Sequence, residues 1–139
     1  MPVNWQASAG THTVAPAAIE PTVETRTAAS TGEAAGDWLC AWCLNHVANE
    51  RARFKYEGKD EFAFSNPEGI RFEIITFAET LGCRQTGVPT LEHTWFSGHA
   101  WSFCQCARCG QHLGWYYAGS QDFVGLIKPR IVRGLYVRN

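Results

Sequence analysis

Two short cysteine pairs, Cys40-Ala41-Trp42-Cys43 and Cys106-Ala107-Arg108-Cys109, constrain this chain more than any other feature. The C-x2-C spacing lets one tight turn aim two sulfurs at a single ion, and two such turns complete a tetrahedral four-thiolate zinc site. The 62 residues between Cys43 and Cys106 far exceed the roughly 15–20 of a simple zinc ribbon, so one ion would clamp the two ends of a whole domain. Four protein thiolates leave no coordination position open, which makes the expected zinc a structural ion and not a hydrolytic catalyst. Gly110 supplies the permissive backbone such a turn uses, whereas Leu44 stands at the equivalent place in the first pair, a mild departure. Two unrelated pairs, or disulfides, are the competing account of these four cysteines. Cys104 is the alternative ligand, although it lacks the usual two-residue spacer to Cys106. Cys83 reads as a buried free thiol. His99 and His112 lie near the second pair in sequence but outside a site that is already full.

A chain of 139 residues has room for one domain. A net charge of −1 argues against a broad nucleic-acid or acidic-membrane footprint. No window approaches the ~18–20 apolar residues of a membrane span, and the N-terminus lacks a basic region followed by an apolar run. Paired C-x2-C spacing favours metal and a reducing, cytoplasmic setting over a secreted disulfide framework. Residues 1–36 are rich in Ala and Thr, with Pro2, Pro16 and Pro21, and carry little large apolar side chain apart from Trp5. Such a segment buries too little surface to offset its ordering entropy, so a disordered or loose arm is expected there. The domain proper is expected over 37–139.

Short strands and glycine turns dominate that region. Arg51 to Glu61 is polar and reads as a mobile loop or hairpin. Phe62-Ala63-Phe64 alternates, and Asn66-Pro67-Glu68-Gly69 is a strong turn signal. Ile70, Phe72 and Ile74 alternate with Arg71 and Glu73, the period of a half-buried strand. Gly87-Val88-Pro89 marks another loop, and the pattern from Thr94 is strand-like, with a turn at Gly98. Leu113 to Tyr117 and Phe123 to Ile127 read as strands, and Lys128 to Asn139 as a basic, solvated tail. With no convincing long helix, the fold class is mainly β.

Six tryptophans are many for this length, and three of them, Trp95, Trp101 and Trp115, flank the second cysteine pair. Three indoles can wall a narrow slot, and Tyr117, two residues beyond Trp115 in a strand, points to the same face. The plainer account is that these rings fill a core, since large aromatics dominate cores.

The order of these motifs is itself informative. His93-Thr94-Trp95, Gly98, Trp101, Cys106-Ala107-Arg108-Cys109-Gly110, Leu113-Gly114-Trp115-Tyr116-Tyr117, Phe123 to Ile127 and the turn Asn66-Pro67-Glu68-Gly69 together resemble the thalidomide-binding (CULT) domain of cereblon. The similarity runs from about Trp38 to Ile131 and looks most like the stand-alone bacterial form. The resemblance implies a β-tent, two antiparallel sheets pinned by a structural zinc. It implies a pocket for cyclic imides (glutarimide, thalidomide-type drugs and protein C-terminal cyclic imides) and for uracil-like rings. Carried over residue by residue, Trp95, Trp101 and Trp115 would be the walls, with Tyr117 at the base. The backbone of His93 and Trp95 would bond the imide rim, Thr94 stands where a serine is common, and Asn66 and Pro67 would touch the ring's outer edge. A monomer without catalytic activity is expected, and no ubiquitin-ligase role is carried over.

Three rivals are weighed against this. Methionine-R-sulfoxide reductases share a zinc-pinned β-tent, but no cysteine follows Cys109 to act as nucleophile. Nor do paired carboxylates or a Ser-His-Asp set cluster near the motifs. A tryptophan box can also hold a methylated lysine or a quaternary ammonium cation, with Glu92 as the nearby carboxylate. Nucleic-acid binding through the cysteine pairs and Lys128, Arg130, Arg133 and Arg138 is opposed by the overall charge.

Overall fold

The computed structural model describes residues 36–136. The arm expected over residues 1–36 therefore lies almost wholly outside the described residues. Among the described residues nine strands run β1 (Asp37–Cys40), β2 (His46–Asn49), β3 (Glu61–Ser65), β4 (Arg71–Phe77), β5 (Cys83–Thr90), β6 (Ala100–Cys106), β7 (His112–Ala118), β8 (Phe123–Ile127) and β9 (Ile131–Arg133). They form a three-stranded sheet, ordered β2-β1-β9, and a six-stranded sheet, ordered β3-β4-β8-β7-β6-β5. All pairings are antiparallel. The chain is thus mainly β, as its sequence indicates, and no helix among the described residues is long and apolar enough to cross a membrane.

Strand alternation gives the six-stranded sheet two different faces. On one, Ile75, Phe77, Cys104, Cys106, Leu113, Val124 and Leu126 pack with Trp38, Cys40, Val47 and Ile131 of the small sheet. On the other, Ile74, Trp101, Trp115, Tyr117, Phe123 and Ile127 gather around Phe96. A bulge keeps the two sets apart where they meet. Opposite Cys104 and Gln105 the register jumps from Gly114 to His112, so Leu113 is the extra residue. Leu113 turns to the cysteine side, and His112 faces Trp115 with ring centroids 5.0 Å apart.

Three sequence expectations are corrected. Gly87-Val88-Pro89 is not a loop but part of β5, where the pairing to β6 is interrupted between Thr86 and Thr90. β5 is an edge strand, where a proline whose N–H side faces outward costs no ladder bond. Residues 94–99 are not a strand, because β6 begins only at Ala100. Hydrogen bonds within that segment hold it as a compact strap. The stretch from Lys128 is not simply a solvated tail, since β9 completes the small sheet and buries Ile131. The polar segment before β3 likewise packs down. Its Tyr56 and Lys59 exchange backbone hydrogen bonds across Glu57 and Gly58, both at positive φ, and Phe54 stacks on Phe123 at 4.8 Å.

Candidate metal centre and aromatic site

The two cysteine turns are built alike. In the first, Leu44 N–H donates to the Cys40 carbonyl (2.8 Å) and Cys40 N–H to the Asn45 carbonyl (2.8 Å). In the second, Gly110 N–H donates to the Cys106 carbonyl (2.9 Å) and Cys106 N–H to the Gln111 carbonyl (2.9 Å). Each turn needs a left-handed residue at its fifth position, and Leu44 (φ 64°) and Gly110 (φ 81°) supply it. The mild departure at Leu44 is therefore a non-glycine residue placed where glycine is at ease.

Cys40 ends β1 and Cys106 ends β6, so the turns bring the two sheets together at this point. The four sulfurs all lie within 4.8 Å of one another, with Cys40–Cys109 at 3.7 Å and Cys43–Cys106 at 3.6 Å. Four sulfurs held at ~2.3 Å around a tetrahedral ion stand about 3.8 Å apart, so the cluster has the dimensions of a metal site. Outer donors are in place too: Arg108 N–H reaches Cys106 Sγ at 3.4 Å and Asn45 Nδ2 reaches it at 3.7 Å. Among the sulfurs themselves, the hydrogen bond from Cys40 pulls Cys106 down to about 4, with the N–H groups of Cys109 and Arg108 helping. Cys40 is raised by that same contact and by burial, and burial pushes Cys43 up to about 11. The expected outsiders stay outside. Cys104 is buried on the cysteine side of β6 but does not join the cluster, and Cys83 is only partly buried.

The aromatic site lies on the opposite face. β7 carries Trp115 and Tyr117 to the same side, both fully buried. Across the β6–β7 ladder, Trp101 stands opposite Tyr117 and Phe103 opposite Trp115. Trp95 comes from the strap between β5 and β6. Its ring meets Trp115 at nearly a right angle (5.1 Å, 80°), so the two form adjacent walls of a corner. Trp101 is buried edge-on against Phe103 (5.3 Å, 81°). Tyr117 sits deeper, against Phe96 (4.8 Å) and Phe123 (5.2 Å), and burial holds its phenol well above the usual range.

The strap is tied at both ends. Trp101 Nε1–H donates to the Glu92 carbonyl at 2.9 Å, and the Thr94 hydroxyl donates to the His99 carbonyl at 2.6 Å. The same Thr94 oxygen accepts from Phe96 N–H at 3.4 Å. Between the ties, His93 adopts φ 56°, the left-handed region that side chains avoid. His99 secures the far end. Its Nδ1 meets the Ser97 carbonyl at 2.9 Å, and its ring lies so close to Gly119 that a Cβ there would fall 2.6 Å from it.

The Asn66 turn leans on the strap. Asn66 is 4% exposed, and its Oδ1 accepts from Glu68 N–H and Ile70 N–H, both at 2.9 Å. The neighbouring Ser65 carbonyl accepts from Trp95 Nε1–H at 3.3 Å. Asn66 Nδ2 is buried and finds no acceptor among the described residues. Pro67 occupies the second position of this turn and is exposed. Three rings that sequence reasoning passed over complete the surroundings. Phe64 stacks on Trp95 (5.0 Å, 18°), Phe72 meets Trp115 at 5.4 Å, and Phe96 anchors the cluster below. The alternation of Phe62 with Phe64, and of Phe72 with Ile74, carried that signal. His112, behind Trp115, donates through Nε2 to the Gly114 carbonyl at 2.9 Å. Its pKa is pushed down to about 4, chiefly by burial and further by Arg130, so the ring is neutral. Two open cavities of about 460 and 500 Å³ lie along β3 and β4, and the three tryptophans line neither.

No protein-family model matches the chain. Curated relatives do. Cereblon of Gallus gallus is 34% identical over 76 residues, covering 50% of this chain and 17% of that protein. Cereblon of Xenopus tropicalis is 35% identical over 79 residues (50% and 18%), and that of Danio rerio 36% over 56 residues (40% and 13%). The match thus spans less than a fifth of these relatives' length. Over about half its own length the chain is homologous to cereblon, and with the paired sheets, the four-cysteine cluster and the aromatic cluster it forms a cereblon-like domain.

Proposed function

We propose that this chain is a non-catalytic binding domain, running from Asp37 onward, whose Trp95, Trp101 and Trp115 wall a cage for cyclic imides and uracil-like rings. The guests are glutarimide, thalidomide-type molecules and protein C-termini bearing a cyclic imide. One zinc ion on Cys40, Cys43, Cys106 and Cys109 pins the small sheet to the large one and is structural. A single chain suffices, acting in the cytoplasm.

The observation that carries this reading is Asn66 Nδ2, a buried donor without an acceptor among the described residues, on a turn tied to the Trp95 indole. A flat imide offers what this corner lacks. Its faces are apolar, and removing them from water contributes about 25 cal/mol per Å². Its rim carries one donor and two acceptors, which need fixed partners because an unpaired buried polar group costs ~1–3 kcal/mol. The Asn66 amide serves one carbonyl, and the backbone of His93 and Trp95 serves the N–H and the other carbonyl. Thr94 holds that backbone in place, and Pro67 and Tyr117 bound the ring at its edge and base.

Tryptophan fluorescence titration tests this directly. Glutarimide and uracil should saturate the signal, and N-methylglutarimide should bind at least about tenfold more weakly, having lost the rim donor. Tighter binding of a trimethyl-lysine peptide would convert the cage into a cation site. Equal binding of the N-methyl compound would remove the hydrogen-bonded rim from the scheme.

A further inference from the structure

The open cavity of about 500 Å³ beside the aromatic site has an apolar lining from Ile70, Phe72, Ile127 and Pro129, and three charged residues, Arg71, Glu73 and Arg130. The charges around it are unequal. Arg71, also in the lining, is paired with Glu73 at 3.5 Å. No carboxylate among the described residues pairs with Arg130. Its Nη1–H donates to the His112 carbonyl at 2.9 Å, and its guanidinium lies over the Phe72 ring at 6.0 Å. Contacts to one carbonyl and one ring leave a planar fork with most of its donors available. The cavity of about 460 Å³ along β3 and β4 is different, because there Lys128 is matched to Glu61 at 3.3 Å.

Phe72 links this cavity to the cage, since the same ring lies 5.4 Å from Trp115 and 6.1 Å from Trp95. We propose that the cavity is an acid-recognising subsite, in which Arg130 binds a carboxylate carried on a short substituent of the ring held by the tryptophans. The proposal rests on the cage reading above. Charge complementarity selects the occupant. An uncompensated guanidinium over an aromatic face favours a planar anion, and the Ile70, Phe72 and Pro129 lining accepts the methylenes that lead to it. A cyclic imide bearing an acidic arm satisfies both sites at once, whereas a neutral arm leaves Arg130 unmatched.

Two glutarimides with the same short ring-carbon chain, one ending in a carboxylate and the other in a carboxamide, provide the test. With unsubstituted glutarimide as reference, the acid should bind about tenfold more tightly than the amide at low salt, with the margin shrinking as salt rises. Arg130→Gln should bring the acid down to the amide and leave unsubstituted glutarimide unchanged. Equal affinities in the unaltered protein, or a preference that survives Arg130→Gln, would overturn the subsite. If loss of the His112 contact prevents that variant from folding, Ile70→Glu reads the same feature. It should weaken the acid selectively, and an acid affinity that does not fall would overturn the proposal equally. Failure of unsubstituted glutarimide to bind sinks the cage reading and this subsite with it. Binding of glutarimide without acid preference sinks the subsite alone.

Discussion

The two faces of the six-stranded sheet are held by opposite means. On the cysteine side, four sulfurs converge within 4.8 Å of one another and join β1 to β6 across 62 residues of chain. On the aromatic side, a strap of loop is tied down by individual hydrogen bonds, with Trp95 half-buried at its edge. One face gathers four sulfurs at a single point, where a bound metal would cross-link the two sheets. The other depends on a few backbone carbonyls being where hydroxyl and indole donors expect them. Damage to the first should therefore cost the fold, and damage to the second should cost the site while the fold remains.

The largest effect is expected from Cys106→Ser, which removes one corner of the cluster and the sulfur that accepts from Arg108 N–H. Loss of a structural zinc site removes folding free energy directly, on the order of the whole stability of a small domain. Thermal unfolding followed by tryptophan fluorescence should lose its cooperative transition, and chelation of the unaltered protein should mimic the substitution. A metal-free variant that melts like the parent would show that the two sheets hold without the ion.

A smaller effect, confined to the other face, is expected at Thr94. Its hydroxyl is the strap's tie to the His99 carbonyl at 2.6 Å. Thr94→Val keeps the shape and deletes the donor, leaving a partly buried carbonyl unmatched at a cost of about 1–3 kcal/mol. Glutarimide affinity should fall about tenfold or more, with melting temperature lowered by roughly 4–8 °C per kcal/mol of that cost and the cooperative transition retained. Thr94→Ser should restore binding, because the donor returns without the methyl group. Binding kept in Thr94→Val but lost in Thr94→Ser would mean that the methyl contact, and not the hydrogen bond, sets the strap.

These unequal sensitivities match what the sequence disclosed. The cysteine cluster was legible because ligand spacing is a local rule with few alternatives, and the sulfurs meet as that rule requires. Strands β3 and β4 were legible by their period of two, and β7 and β8 as short apolar runs set off by turns. The strap was not, since the pattern from Thr94 looks strand-like, and bonds from Thr94 and His99 within the segment, with ties to residues outside it, hold it otherwise. Trp101 reaching back to the Glu92 carbonyl and the ring of His99 against Gly119 leave no local mark. β9 was missed for a similar reason. Three residues after a proline carry too little pattern, and Ile131 is buried only because β1 is there to receive it. The grouping of the three tryptophans came from resemblance to a family and not from periodicity, which alone allowed a plain core.

The finest distinction lies within the cysteine side itself, between its two turns. Both use the same pair of backbone hydrogen bonds and the same left-handed fifth residue, yet one has Leu44 there and the other Gly110. A side chain in that region costs about 1–2 kcal/mol, partly offset by the smaller entropy that a leucine loses on folding compared with glycine. Leu44 is 46% exposed, so its removal forfeits little packing. Leu44→Gly should therefore stabilise the domain slightly, by up to about 1 kcal/mol, or a few degrees in melting temperature. Gly110→Ala should destabilise it by a similar amount, because the strain is introduced where none exists now. Both shifts should persist when the metal is saturating, since they act on the backbone and not on the sulfurs. Should Leu44→Gly lower the melting temperature, the leucine side chain would be contributing contact at the first turn that outweighs its strain, and the two turns would be alike in geometry but not in what maintains them.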